Sequence, residues 1–529
     1  MTRLDPVDVV VVGAGLGGAA FCARLSERAP GLRIVCLERG DWVDRSAMPA
    51  YRRDWQRAAL GAWATSPNVR LSTDEPSQSA DYGIDDSASP IKPLLWNGVG
   101  GSTINWAAHV PRLHPSDFKT RTLDGVGDDW PFSYFDLEPY YDLNDTAMGI
   151  AGLAGDPAYP PKRSPRMPPL PIGRAGEMAA RGFNAMGWHW WPVDAAINTV
   201  RRDDRHACNN GGPCLIGCPI GAKASADIVY WPVALKNGVT LRTRCVAQQV
   251  IVQGGRAIGV AYRDGTGAMH EQPAAFTVVA CNGIGTARLL LASNVGRGVD
   301  DPLGRNLMFH PIAYARGMFK EELDGPRGPV GNCIYSHEFY EQRSEHPFTR
   351  GLQLQVTREN PLLHQAARLE PAWGQAAQKL LREEFRHSLP VMVVAEDLPE
   401  AVNRVALGDV TAADGLPEVR IEYTLSQNSR MILDFGLDRA EEMLRRAGAH
   451  RVARVPLAPM TGWHLLGTAR MGTDPATSVT DGRGRCHSVP NILVADGSLF
   501  PTVGAVNPGT TIAAVAMKIG DDLAREVIG

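Results

Sequence analysis

The chain has 529 residues, 44% hydrophobic and 21% charged, with a formal net charge of −3. That length allows a substantial buried core, and the weak charge gives no reason to expect nucleic acid or an anionic membrane as a partner. No run of about 18 apolar residues occurs, so no membrane span is expected. The amino terminus enters a strand almost at once with no secretory leader, so cytoplasmic folding is the expectation. Nine cysteines, mostly isolated in apolar contexts, read as reduced thiols and not as a disulfide framework.

Val9 to Val12 form an unbroken valine run, the pattern of a buried parallel strand. Gly13, Gly15 and Gly18 follow as G-x-G-x-x-G, then a helical stretch to about Ala29 and a second strand, Arg33 to Leu37, ending at Glu38. The first glycine permits a tight turn, the second a close approach to pyrophosphate, and the third helix–strand packing. Glu38 stands where a carboxylate accepts ribose hydroxyls. This is a dinucleotide site, and the motif by itself does not separate FAD from NAD.

Residues 41–93 are polar and irregular, Asn97 to Trp106 is glycine-rich, and Asp156 to Ile172 is a proline-rich extended connection. A short strand at Phe276–Ala280 precedes a helix around Thr286–Ser293. From Pro311 to Glu422, runs such as Gly351 to Val356 alternate apolar and polar residues and read as half-exposed antiparallel strands. An amphipathic helix is expected at Gln427–Gly448 and a last strand at Asn491–Ala495. Nucleotide-site character thus occurs at both ends with a different pattern inserted between. The expected fold is α/β (α+β): a Rossmann-like unit of residues 1–310 and 456–529, interrupted by an antiparallel-sheet substrate unit at 311–455.

Cys208, Cys214 and Cys218 crowd one glycine-rich loop, about residues 206–222. Their C-x5-C-x3-C spacing matches neither the usual zinc pairs nor the bacterial ferredoxin run. Bare thiols, a disulfide and a metal site all stay open on spacing alone.

Several separated blocks carry a resemblance. They are Asn97–Trp106, Asn282–Ala287, Gly304–Leu307, Trp463–Gly472, Val494–Ser498 and Thr502–Thr511. In this order they resemble the glucose–methanol–choline (GMC) oxidoreductases. The resemblance implies FAD, with Gly13, Gly15, Gly18, Glu38 and Val246 toward its ADP half. It assigns Gly101, Ser102, Asn105 and Trp106, within a covering segment at about 41–130, to the flavin side. Asp496 falls at the phosphate–ribityl part, with Asn507 and Pro508 beside the ring. His464 takes the family's catalytic position and Asn507 the second active-site position. Ile104 replaces a histidine that some members link to flavin, which implies non-covalent FAD. Phe309 replaces an acidic residue often found before the histidine at His310. Without the family, His464 beside Trp463 would read as structural; His310 and His487 keep that reading.

These residue types suit alcohol oxidation. A neutral imidazole takes the hydroxyl proton, an amide stabilises the developing alkoxide, and flavin N5 accepts the hydride. The loop is similar to that of the catalytic subunits of bacterial FAD-dependent glucose, gluconate and glucoside dehydrogenases. That resemblance implies a [3Fe–4S] cluster on Cys208, Cys214 and Cys218, an external cytochrome-type acceptor, and a small accessory subunit. Such a subunit could bring an export signal and thus a periplasmic location. No C-x-x-C-H haem motif occurs, so a cytochrome would be a separate chain. The expected activity is oxidation of an alcohol group of a sugar or sugar derivative. The alternative is an oxidase of the same fold that produces hydrogen peroxide.

Overall fold

The computed structural model describes residues 1–52, 55–71, 75–212, 214–296, 301–325, 328–329, 331–358 and 374–528. Part of the alternating region, 359–373, lies outside the described residues. No helix among the described residues is long and apolar enough to cross a membrane.

Five parallel strands form the first sheet, in the order Thr240–Arg242, Ile34–Leu37, Val7–Val12, Met269–Val279, Ile492–Val494. Val9 to Val12 are at most 5% exposed, as expected of a β-branched run covered on both faces. The Leu16–Arg28 helix follows the first strand and packs on the carboxy-terminal helix Gly509–Ile528. The strand expected at Phe276–Ala280 is the end of a longer one. Its first half, with Pro273 inside it, pairs antiparallel to Arg256–Arg263 in a meander with Val246–Gln253. Polar residues and a proline hid that half, because a two-residue period needs an apolar face to register.

The second sheet is antiparallel throughout, in the order Arg451–Val455, Ile312–Met318, Ser388–Ala395, Leu352–Thr357, Asn332–Ser336, Trp191–Pro192. Its edge strand at Trp191–Pro192 and the packed helix Gly173–Met186 come from outside the 311–455 span. The helix Gln427–Arg446 starts at a Ser426 hydroxyl that accepts from the Ser429 amide, and lays Ile432, Leu433, Leu437 and Met443 on one face of the sheet. Gly436 permits the contact: a Cβ there would stand 2.3 Å from a Val393 methyl.

One expectation fails here. The strand Leu352–Thr357 is not half exposed: Leu352, Gln353, Leu354, Gln355 and Val356 are all buried. Its leucine face joins the core under the helix. Its glutamine face turns toward the nucleotide half, where Gln355 meets Asn507. Alternation identified the strand correctly, but a polar face marks water only when nothing polar covers it.

Candidate active site

At the dinucleotide turn, Gly13 adopts φ +102° and passes so close to the next strand that a Cβ would meet the Ala280 carbonyl at 2.4 Å. Around Gly15 the space is open, with only the Gly101 Cα at 3.8 Å from a notional Cβ. Two blocks far apart in sequence therefore meet there. Glu38 is buried and accepts from the amides of Ala14, at 2.7 Å, and Gly40, at 2.8 Å. Burial raises its pKa while these amides oppose the shift. The backbone of Glu38 also accepts from Cys245, which sets Val246 beside it.

Gly101–Ile104 form a 3₁₀ turn that leads into Asn105. The Ser102 hydroxyl accepts from the Trp96 amide, and the Trp106 indole donates to the Ala224 carbonyl, so both side chains brace the turn. Asn105 is fully buried, with neither side-chain polar atom partnered. Buried amides are rarely left so, and this one matches a ligand with both donors and acceptors, as an isoalloxazine edge has. Asp496 is occupied with Ser498 and Thr286, holding the turn that it starts. Pro508 precedes the helix at Gly509, whose amino-terminal end carries a partial positive charge. The donor set, the open second glycine and the orphaned Asn105 fit FAD.

His464 and His310 are joined Nδ1 to Nδ1 at 2.8 Å, and His310 Nε2 lies 2.9 Å from the Gly504 carbonyl. A carbonyl only accepts, so His310 carries its proton on Nε2. Burial lowers the His310 pKa to about 4, so its Nδ1 is a bare acceptor. His464 must then donate from Nδ1, which leaves Nε2 with a free lone pair. Burial, and then the facing His310, push the His464 pKa well below its ordinary value. The result is a neutral imidazole of one tautomer, able to accept a proton at Nε2. Thus His310 orients His464. His487 is elsewhere, on the Ser478 hydroxyl. The Phe309 amide donates to Asp397, which also accepts from Tyr423 and Ser429. An acidic group therefore does reach this corner, from a different segment.

Asn507 is half-buried three residues past Gly504. Its Oδ1 accepts from Gln355 Nε2 at 2.8 Å, so its Nδ2 is left as a donor. That polarity belongs to a longer chain. Glu341, whose pKa lies below its ordinary value chiefly through its bond to His114, accepts from His114 Nδ1 at 2.8 Å against the opposing effect of burial. Gln353 Nε2 donates to His337 Nε2 at 2.5 Å, and burial holds the His337 pKa well below its ordinary value, so its Nδ1 carries the proton and donates to His114 Nε2 at 3.1 Å. Gln353 Oε1 then accepts from Gln355, whose own Oε1 accepts from Asn332 at 2.5 Å. Sequence reasoning missed Gln353, Gln355, Asn332 and His337. The glutamine alternation was their only signal, and it read as a wet face.

Cys208, Cys214 and Cys218 line one open cleft, and none is in a disulfide. No group of three or more His, Cys, Asp or Glu side chains among the described residues stands ready to hold a metal ion. Sulfur contacts in the loop are long: Cys208 to Asn210 at 3.9 Å, Cys214 to the Gly212 carbonyl at 3.8 Å, and the Lys223 amide to Cys218 at 3.4 Å. The buried Lys223 ammonium donates to the carbonyls of Ile104, Trp106 and Cys214, at 2.8, 2.9 and 2.6 Å. One lysine thus ties the Gly101–Trp106 turn to the cysteine loop. Burial lowers its pKa to about 8.

Comparisons with known proteins agree with this geometry. Two family models described as GMC oxidoreductase match residues 176–312 and 399–516. The chain is 38% identical to 2-methyl-1,2-propanediol dehydrogenase of Mycolicibacterium austroafricanum, over 99% of this chain and 96% of that one. It is 30% identical to paromamine 6'-oxidase of Streptomyces fradiae, over 98% and 92%. It is 28% identical to the fructose dehydrogenase large subunit of Gluconobacter japonicus, over 98% of each chain. Among solved structures, pyridoxine 4-oxidase from Mesorbium loti shares the fold, with a TM-score of 0.66 at 18% identity over 98% of this chain and 99% of that one. The chain belongs to the GMC oxidoreductase family and is an FAD-dependent enzyme that oxidises alcohol- or sugar-type substrates.

Proposed function

We propose that the protein oxidises the carbinol of a small hydroxylated molecule, a class that spans diols and sugars, and passes the electrons singly to an external protein such as a cytochrome. FAD, when bound, supplies the hydride acceptor at flavin N5. The remaining work falls to the chain. His464 Nε2 takes the hydroxyl proton, His310 holds its tautomer, and Asn507 Nδ2 donates to the developing alkoxide. The observation that carries this reading is the His464–His310–Gly504 relay, which leaves one basic nitrogen bare. Glu38 and the turn at Gly13, Gly15 and Gly18 receive the ADP half, with Val246 beside them. Gly101, Ser102, Asn105, Trp106, Asp496 and Pro508 frame the flavin half. Ile104 offers no ring nitrogen for a covalent link.

Division of the chain into residues 1–310 with 456–529, and 311–455, belongs to the same proposal, with Gly173–Pro192 grouped with the second sheet. The names of the diol, fructose and paromamine relatives support hydroxylated substrates. We assign a [3Fe–4S] cluster to Cys208, Cys214 and Cys218; three thiols on one cleft, tied by Lys223 to the flavin turn, support it. Such a cluster would supply a one-electron exit. The relative named as a large subunit supports a smaller accessory chain.

The test is anaerobic flavin bleaching with a panel of diols, sugars and simple alcohols, followed by reoxidation. Fast reoxidation by a cytochrome-type acceptor, with about three irons per chain, is expected. Iron-free protein that yields one hydrogen peroxide per substrate would replace this reading with an oxidase.

A further inference from the structure

One peptide unit sets the tautomer of His464. The Gly504 carbonyl accepts from His310 Nε2 at 2.9 Å, and the N–H of the same peptide, on Ala505, donates to the Tyr340 hydroxyl at 3.3 Å. A peptide is planar, with these two groups on opposite edges, so the direction of one fixes the other. Gly504 adopts φ +60°, and glycine restrains the peptide that follows it less than any other residue. A Cβ there would meet the Tyr340 hydroxyl at 2.6 Å and Asp117 Oδ2 at 3.0 Å, so a side chain does not fit. The peptide that serves His310 thus follows the residue least able to hold it still.

Tyr340 supplies the missing restraint. It is 1% exposed. Its hydroxyl accepts from Ala505 and therefore directs its own proton to Asp117 Oδ2, at 2.7 Å. That oxygen also accepts from the His114 amide, at 2.6 Å, and Oδ1 accepts from Arg350. Donors face both carboxylate oxygens, which leaves the hydroxyl a single orientation. Resting on the alcohol-oxidation reading, we propose that Tyr340 is a positioning residue that locks the Gly504–Ala505 peptide and, through His310, the tautomer of His464. Turned over, the peptide would aim its N–H at His310 Nε2. That nitrogen would accept, the His310 proton would move to Nδ1, and His464 Nδ1 would accept from it. Each ring keeps one proton, but the one on His464 would sit on Nε2 and the base would be lost. The Tyr340 ring lies against His114 and His337, with centroids 4.0 and 4.8 Å apart. A phenylalanine at this position keeps that packing, which serves Asn507, and removes only the lock.

The experiment uses flavin-loaded enzyme and follows anaerobic flavin bleaching. Tyr340→Phe is expected to lower kcat about tenfold, the worth of one buried hydrogen bond, while KM changes less than about twofold. The loss is partial because the Val503 backbone, after that of Gly504, also opposes the lowering of the His310 pKa by burial. In His310→Ala the Gly504 carbonyl has no ring to address, so adding Tyr340→Phe should cost less than about twofold more. Histidine nitrogen NMR, with His464 assigned by its loss in His464→Ala, should show Nε2 bare in the wild type and partly protonated in Tyr340→Phe. A wild-type His464 protonated on Nε2 overturns the inference without any variant. So does an undiminished kcat in folded, flavin-loaded Tyr340→Phe, or a loss that persists in full in the His310→Ala background. Unchanged bleaching in His464→Ala would instead sink the reading of His464 as the base, on which the lock stands.

Discussion

The two large sheets bury opposite kinds of surface. The parallel sheet of Val7–Val12 and its neighbours is apolar where it is covered, and it presents its turns to a ligand at one edge. In the antiparallel sheet, Leu354 faces an apolar core and Gln355 faces a hydrogen-bonded network that ends at Asn507. An apolar face tolerates small changes by repacking. A buried polar face holds only while each group keeps its partner, and the loss of one reorients the rest. The first sheet carries the glycine turn with Glu38, and the second fixes the amide of Asn507, for which we propose a role in the chemistry.

Four experiments can break or sharpen this comparison. The largest effect is expected at the corner where the halves meet: His464→Ala should slow anaerobic flavin reduction about a thousandfold while the flavin stays bound. Unchanged bleaching would remove His464 from the chemistry. Next come two adjacent residues on opposite faces of one strand. Leu354→Ala should cost about 3 kcal/mol in denaturant unfolding with little change in kcat per folded molecule. Gln355→Leu should do the reverse, lowering kcat about tenfold, because Asn507 loses the donor that fixes its amide. If the two variants behave alike, the division of labour between the faces is wrong.

The smallest effect is one of pH. Because the His464 pKa lies well below its ordinary value of about 6.5, the base is already unprotonated at and above that pH. Flavin reduction should therefore be flat from about pH 6 to 8 and fall only in more acid solution. In His310→Ala the lowering by the facing ring is lost, so the acid limb should move to higher pH. A wild-type midpoint near 6.5 would mean an ordinary solvated histidine.

Legibility in the sequence followed the range of the interactions. Val9–Val12, the turn at Gly13, Gly15 and Gly18, and Glu38 lie within one βαβ unit. Local periodicity and glycine conformation therefore reveal them, and the chain folds as they indicate. The Gln427–Arg446 helix was legible for the same reason. His464 and Asn507 were singled out through the motifs around them, and the structure adds their hydrogen bonds to His310 and Gln355. The Met269–Gln272 half of its strand was not, since its pairing with Arg256–Arg263 leaves no apolar period.

The sequence by itself determined which residue types were available: a glycine turn with its acid, one histidine, one asparagine and three clustered cysteines. Only the tertiary structure decided what each can do. Gly504 sets the proton on His310 and so bares His464 Nε2, and Lys223 draws the cysteine loop to the Gly101–Trp106 turn. A chain from Glu341 through Gln355 polarises Asn507. The physical reason is that a donor or acceptor role is a property of a hydrogen-bonded pair. Here the partners stand up to hundreds of residues apart in sequence, where no local pattern joins them.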